Sequence, residues 1–184
     1  MIPVATVHQL VVTRQPTEVS QQDLVIVERQ LGRPARGVVQ VSVRCACGKP
    51  IVVRTAPLLP DGTPFPTTYY LTARGARAGI GRLESEGLMA QMNAQLRLDV
   101  SLAAAHLAAH NDYLRRRAEL GDPPQIRGVS AGGMPDHVKC LHVMAAHALA
   151  VGPGVNLLGD AALVELSRWW RPDVCGCAEE PSYA

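Results

Sequence analysis

The chain has 184 residues, of which 47% are hydrophobic and 18% charged, and it carries a formal net charge of +2. A chain of this length and composition folds as one domain with a sizeable core, and its charge is too small to indicate a nucleic-acid-binding protein. No stretch reaches the ~18 consecutive apolar residues of a membrane span. Because the first residues also lack the features of a signal peptide, we predict a cytoplasmic protein.

The N-terminal half predicts one helix followed by a small antiparallel sheet. Ser20 is a good helix cap, and Gly32 ends the same helix. Valines that alternate with polar or small residues predict strands, and the turn at Cys45-Ala46-Cys47-Gly48 predicts a hairpin whose tip presents two sulfurs. The predicted segments are a flexible leader at 1–17, a helix at 21–31, strands at 37–44, 51–57 and 67–72, and a rigid proline-rich loop at 58–66.

The C-terminal half predicts helices around a buried central one. Pro135 suits the first turn of a helix, and apolar residues fall on nearly every side from Asp136 to Ala150. The predicted helices are 74–86, 88–98, 100–120, 136–150 and 160–170, with Asp160 as the cap of the last. The chain is therefore predicted to form an α+β domain over 18–174, with the small sheet packed on a mostly helical half, and a cysteine-containing tail at 175–184.

The central helix and the loop before it carry the residues that we predict to be catalytic, namely Lys139, Cys140 and His142. A cysteine can act as a nucleophile and a histidine as a base. The Gly132-Gly133 pair can expose backbone N–H groups to an anion, with Lys139 completing the charge. On a regular helix, Cys140 and His142 lie roughly 200° apart and do not share one small ion. The alternatives are ordinary core packing for the side chains and a tight entry turn for the glycines.

The same segment is predicted to line a pocket. Its walls are expected to be the Gly132-Gly133 loop, Lys139, Cys140 and the stiff loop over 61–66. The alternative for that loop is a rigid connector without a role in a site.

The cysteines predict a metal site, because thiolates are the ligands that zinc and iron–sulfur clusters prefer. Two C-x-C pairs supply four thiolates, enough for a closed structural zinc site. Alternatively, the first pair and Cys140 hold a metal or cluster with an open position. Reduced thiols without a metal are the third possibility. The candidate ligands are Cys45, Cys47, Cys140, Cys175 and Cys177.

Seven segments together resemble the bacterial family catalogued as domain of unknown function 501. They are LGRPARG, RCACG, TAPLLPDGTPFPTTYYLT, RLESEGLM, AHNDYL, SAGGMPDHVKCLH and GPGVNLLGD, spread from about Leu31 to Asp160. The family has no settled activity to carry over. Its members come mostly from actinobacteria and are often encoded near septum-formation-initiator and exopolyphosphatase genes. Where relatives usually have arginine, this chain has His137. This difference makes Lys139, Cys140 and His142 better candidates for the site than His137.

Two functional hypotheses follow. The first is a protein that binds zinc or an iron–sulfur cluster near the glycine loop and the central helix, and that acts on a small anionic substrate. The second, which the gene neighbourhood of the resembling family favours, is a non-catalytic module. It would bind a cell-division protein or take part in polyphosphate metabolism, with zinc or free thiols serving only stability. Both hypotheses exclude nucleic acid as a partner.

Overall fold

The structure, a computed structural model, describes residues 14–177 and confirms the α+β architecture. Four antiparallel strands form one sheet in the order β1-β2-β3-β4, and the helices follow mostly after the sheet. The strands are β1 Thr17–Glu18, β2 Val38–Arg44, β3 Pro50–Thr55 and β4 Tyr69–Leu71. The helices are α1 Gln21–Leu31, α2 Arg74–Ser85, α3 Leu88–Leu98, α4 Val100–Ala118, α5 Leu141–Val151 and α6 Leu157–Leu166, with a 3-10 turn at Pro124–Ile126.

Helix α1 begins and ends where the sequence predicts. The Ser20 hydroxyl accepts the Asp23 N–H at 3.1 Å, and the Asp23 carboxylate accepts the Ser20 N–H at 3.0 Å, which forms a capping box. Gly32 ends the helix with φ of 70°, a conformation that favours glycine. The Asp23 carboxylate also pairs with Arg44 at 2.7 Å. This ion pair joins α1 to the end of β2, next to the hairpin tip.

Strand β3 lies between β2 and β4, and all six of its residues are buried. Its first four residues, PIVV, are correspondingly all apolar. Helix α5 packs on β4 and on α6, and most of its residues are buried on every side. The sequence prediction of a buried central helix is therefore confirmed, although its first turn is not where we predicted it.

The central helix begins at Leu141, five residues later than predicted, because other groups bind the backbone before it. The Lys139 N–H donates to the Gly132 carbonyl at 2.7 Å, and the His137 N–H donates to the Gly133 carbonyl at 3.1 Å. Asn93 on α3 pairs with both backbone groups of Val138, at 2.7 and 2.9 Å. The His137–Gly133 bond has helical spacing, but the bonds of Val138 to Asn93 and of Lys139 to Gly132 take the place of helical ones, so residues 136–140 form a folded loop.

The last helix also differs from the prediction. Asn156, and not Asp160, is the cap of α6, because its side chain accepts the Gly159 N–H at 2.9 Å. Asp160 lies inside the first turn and accepts the Gly154 N–H at 2.7 Å. The helix ends at Leu166, and residues 167–169 form turns. The cap prediction was wrong because asparagine was overlooked as the residue directly before the apolar run.

The predicted leader and tail lie partly outside the described residues, so the proposed division of the chain into 1–17, 18–174 and 175–184 stays a prediction. Within the described part, Thr17 pairs with β2. Between residues 14 and 177, no helix is both long and apolar enough to cross a membrane.

Candidate metal centre and adjoining cleft

Four cysteines come together beside the β2–β3 hairpin. Their sulfur atoms all lie within 4.8 Å of one another, and none forms a disulfide. Two of them come from the hairpin and two from the segment after α6, so the two pairs are far apart in the sequence. The four residues, which we call the cysteine cluster, are Cys45, Cys47, Cys175 and Cys177.

The hairpin tip presents its two sulfurs through a tight turn. The Gly48 N–H donates to the Cys45 carbonyl at 2.8 Å, and Gly48 has φ of 85°, which a glycine adopts without strain. Backbone N–H groups in this turn also point at the sulfurs: that of Cys47 donates to Cys45, and that of Lys49 donates to Cys47. Hydrogen bonds of this kind stabilise thiolates and orient them as metal ligands.

The second pair reaches the hairpin on a short irregular segment after Pro172. The Lys49 ammonium lies 3.4 Å from the Cys177 carbonyl oxygen, which joins the two halves of the cluster. Cys45 is buried and Cys177 half-buried, whereas Cys47 and Cys175 are exposed. The cluster therefore lies at the surface, with one buried wall formed by the sheet.

The thiols of the cluster influence one another's protonation. Burial raises the pKa of Cys45, and burial together with the neighbouring sulfurs raises the pKa of Cys177. For Cys47, burial acts in the same direction, but hydrogen bonds from the Lys49 N–H and from neighbouring thiols lower the pKa to about 7. A bound cation would replace these protons as the partner of the sulfurs.

Cys140 lies outside the cysteine cluster and belongs to a second group. Its sulfur, a carboxylate oxygen of Glu84 and a ring nitrogen of His142 lie within 4.8 Å of one another. The prediction that Cys140 and His142 face opposite sides of a helix is wrong, because Cys140 is the residue before the helix and has extended backbone angles. Its side chain is thereby turned toward the same side as His142.

Glu84 on α2 holds the start of α5. Its Oε1 accepts the Leu141 N–H at 2.8 Å, one of the first-turn donors that have no partner within the helix. The same oxygen lies 3.3 Å from His142 Nδ1. Glu84 thus caps the helix from another helix and also orients the histidine.

His142 is held between two acceptors. Its Nε2 lies 3.2 Å from the Arg77 carbonyl oxygen, which only accepts, so Nε2 carries a proton. Although burial acts against the charged ring, hydrogen bonding to Cys140 and the charge of Glu84 raise the pKa of His142. The ring next to the Cys140 sulfur is therefore protonated more readily than an unperturbed imidazole.

Cys140 and His142 line a cleft of about 550 Å³, a size typical of small-molecule sites. Three cations, Arg33, Arg77 and Lys139, lie on its wall together with Cys140 and His142. Its other lining residues include Gly132, Pro66 and the aromatic side chains of β4.

The two glycines have a steric role in the loop. A Cβ on Gly132 would lie 2.7 Å from the end of the Met144 side chain, and one on Gly133 would lie 2.7 Å from the His137 carbonyl oxygen. Both also have positive φ. The loop therefore requires glycine at each position whether or not an anion binds there.

Sequence reasoning missed Glu84, Arg77 and Arg33. For two of them a signal existed: Arg77 and Glu84 are seven residues apart on α2, so they share a helix face with buried Ile80. Charged residues on an otherwise apolar face of a helix indicate either a paired interior or a site. Nothing in the sequence identifies Arg33, which reaches the cleft from the loop after α1.

Three further histidines, His106, His110 and His147, have structural partners. His147 is fully buried; its Nε2 lies 3.0 Å from Asp112, and its Nδ1 lies 3.3 Å from the Asn156 amide. His106 and His110 are spaced like a metal-binding pair, but the first faces the His137 carbonyl and the second the Ser130 hydroxyl. These contacts tie α4, α5 and α6 together.

A family model described as "Protein of unknown function (DUF501)" matches residues 41–164, about two thirds of the chain. No curated protein and no solved structure matches this chain. The matched range contains the hairpin cysteines and the whole group of Glu84, Cys140 and His142, whereas the second C-x-C pair lies beyond it. The cytoplasmic location and the partner in cell division stay predictions.

Proposed function

We propose that this chain, which belongs to the DUF501 family, binds one zinc ion in its cysteine cluster. The observation that carries the proposal is the mutual approach of four thiol sulfurs to within 4.8 Å. Four sulfurs at about 2.3 Å from one tetrahedral zinc are ~3.8 Å apart, so the ion requires at most a small contraction of the cysteine cluster. The hydrogen bonds from the hairpin to the sulfurs supply the second shell that such a site needs.

A single ion fits the cluster better than an iron–sulfur centre does. In an iron–sulfur cluster the four thiolates are divided among more than one iron atom, so their sulfurs lie further apart than the sulfurs around one ion. Zinc also accepts four thiolates as a closed, tetrahedral structural site without an open position. In that role the ion would attach the segment after α6 to the hairpin, and its contribution would be to stability.

Metal analysis of anaerobically purified protein tests this proposal. We expect one zinc per chain, an optical spectrum without the broad band of an iron–sulfur cluster near 400 nm, and loss of the zinc in Cys45→Ser and Cys177→Ser. Cys140→Ser is the matched control, because it removes a thiol outside the cysteine cluster, and it should keep the zinc. Full zinc content in Cys45→Ser together with loss in Cys140→Ser would contradict the proposal.

A second candidate function is the binding of a small anion in the cleft, for which the three cations on its wall are the supporting observation. Arg33 and Arg77 are anchored, by the Tyr70 hydroxyl at 2.9 Å and by the Gln30 carbonyl at 2.7 Å. Cations held in place around a cleft concentrate anions inside it. Catalysis on such an anion would use Cys140 and His142, the residues that the sequence indicates.

Thermal shift and calorimetric titration with succinate and with inorganic phosphate test the anion site. We expect binding that weakens with ionic strength and that weakens further in Lys139→Gln. Arg127→Gln is the matched control, because Arg127 is an exposed cation that pairs with Asp122 and does not line the cleft. Equal binding by both variants, or no binding by the wild type, would contradict the anion site without affecting the zinc proposal.

A further inference from the structure

We propose that Cys140 is the nucleophile of an acyl-transfer reaction on a small carboxylic ester or thioester that carries a second, anionic group. The inference rests on the proposed anion site and assigns it a substrate class and a reaction. It is carried by the placement of a thiol, an oriented imidazole and three cations on the wall of one cleft.

The first observation is the geometry of the Cys140–His142–Glu84 group. The Arg77 carbonyl keeps a proton on His142 Nε2, so the Nδ1 side of the ring is the one that exchanges a proton with Cys140. Glu84 lies 3.3 Å from the same Nδ1 and holds the ring in orientation. A nucleophile, a base within reach of it and a third group that orients the base are the arrangement that nucleophilic catalysis requires.

The second observation is the position of Cys140 directly before the first turn of α5. Its side chain makes no capping hydrogen bond, so the sulfur is not occupied by the helix backbone. Glu84 binds only the first N–H of the helix, that of Leu141, at 2.8 Å. The next donors belong to His142 and Val143, and both residues line the cleft. First-turn N–H groups are suited to the negative oxygen that forms when a thiolate attacks a carbonyl.

The third observation decides the substrate class. Lys139, Arg77 and Arg33 line the cleft beside the thiol, whereas Glu84, the acidic residue of the group, already binds the helix and His142. A substrate whose non-reacting end is a carboxylate or phosphate would gain these cations as partners. The volume of about 550 Å³ accommodates a small molecule and not a folded protein segment.

The reaction balances with water as the only co-reactant. His142 takes the Cys140 thiol proton on Nδ1 as the sulfur attacks the carbonyl carbon and a C–S bond forms. The bond from carbon to the leaving oxygen or sulfur then breaks as His142 gives that proton to the leaving atom. Water then attacks the resulting thioester while neutral His142 takes its proton. The C–S bond breaks, the free acid leaves, and His142 returns its proton to the Cys140 sulfur.

The test uses the zinc-loaded full chain and a pair of chromogenic esters, 4-nitrophenyl hydrogen succinate and 4-nitrophenyl acetate, which differ in the anionic group. We expect nitrophenolate release with an acyl adduct on Cys140, identified by peptide mass spectrometry, and a rate about tenfold higher for the anionic ester. Lys139→Gln should lower that preference by about two- to fivefold, and Lys139→Arg should restore it. Arg127→Gln should leave it unchanged.

The outcomes separate this proposal from the anion site on which it rests. If the wild type forms the adduct, and Cys140→Ser still binds succinate but forms none, both proposals stand. If the wild type binds succinate and no adduct forms on Cys140, the nucleophile proposal is overturned and the anion site survives. An equal rate with the neutral ester overturns the substrate class. A second zinc per chain that is lost in Cys140→Ser overturns the nucleophile as well, because the group would then be a metal site.

Discussion

The zinc proposal makes a quantitative prediction about stability as a function of free zinc. A metal that binds only the folded chain at one site raises the free energy of unfolding by about 1.4 kcal/mol for every tenfold increase of free zinc above its dissociation constant. The unfolded chain does not bring the four ligands together, because the pair Cys45 and Cys47 and the pair Cys175 and Cys177 are far apart in the sequence. We therefore expect a slope close to this full value.

The assay is urea unfolding at pH 7 under a thiol reductant, with free zinc set by a chelator buffer over several decades. In Cys177→Ser the free energy of unfolding should begin to rise only at higher free zinc, because three thiolates bind the ion more weakly than four. Cys140→Ser should leave both onset and slope unchanged. The free energy is obtained by linear extrapolation at each zinc concentration.

Two results would refute this reasoning. An unfolding free energy that does not depend on free zinc means that no ion is bound at the cluster. A slope of about 2.7 kcal/mol per decade means that two ions are bound, and if it falls by half in Cys140→Ser the second ion lies with Glu84 and His142.

Two further predictions concern the scaffold around the sites. Asp23→Asn should lower the free energy of unfolding by about 2 kcal/mol at pH 7, because the charged hydrogen bonds to Arg44 hold the pKa of Asp23 well below its usual range. This stabilisation is lost as pH falls through the depressed pKa, so the difference from wild type in urea unfolding should shrink below about pH 4. A difference that stays constant with pH would contradict the assignment. Gly159→Ala should lower the free energy of unfolding by about 3 kcal/mol, because the new Cβ would lie 2.3 Å from the Met144 carbonyl oxygen. Gly81→Ala is the control: its Cβ would have no atom within 4 Å, so it should be neutral or stabilise by up to about 1 kcal/mol. Equal effects of the two substitutions on the urea midpoint would show that α5 and α6 do not cross so closely.

Elements with local signals were predicted well from the sequence. Ser20 and Gly32 delimit α1 through side-chain and backbone geometry that depends on neighbouring residues only. The turn with Gly48 between two valine-rich segments likewise specifies a hairpin. The two C-x-C pairs indicated a closed zinc site as one alternative, but the sequence did not show which of the cysteines meet.

The start of α5 was not predictable from the sequence, because its determinants are distant. Residues 136–140 have no helix breaker, yet their backbone groups bind Asn93 and the Gly132-Gly133 loop instead of one another. That displacement puts Cys140 before the helix and next to His142, which the helical spacing had ruled out. The cleft depends on the same tertiary hydrogen bonds, so its composition was predicted only in part.

X-ray absorption at the zinc edge of the purified protein tests the central claim most directly. The proposed site predicts one zinc per chain with four sulfur neighbours at about 2.3 Å and no nitrogen or oxygen in the first shell. A shell that mixes sulfur with nitrogen and oxygen at about 2.0 to 2.1 Å would instead place the ion at Glu84, Cys140 and His142 and would contradict the assignment of zinc to the cysteine cluster.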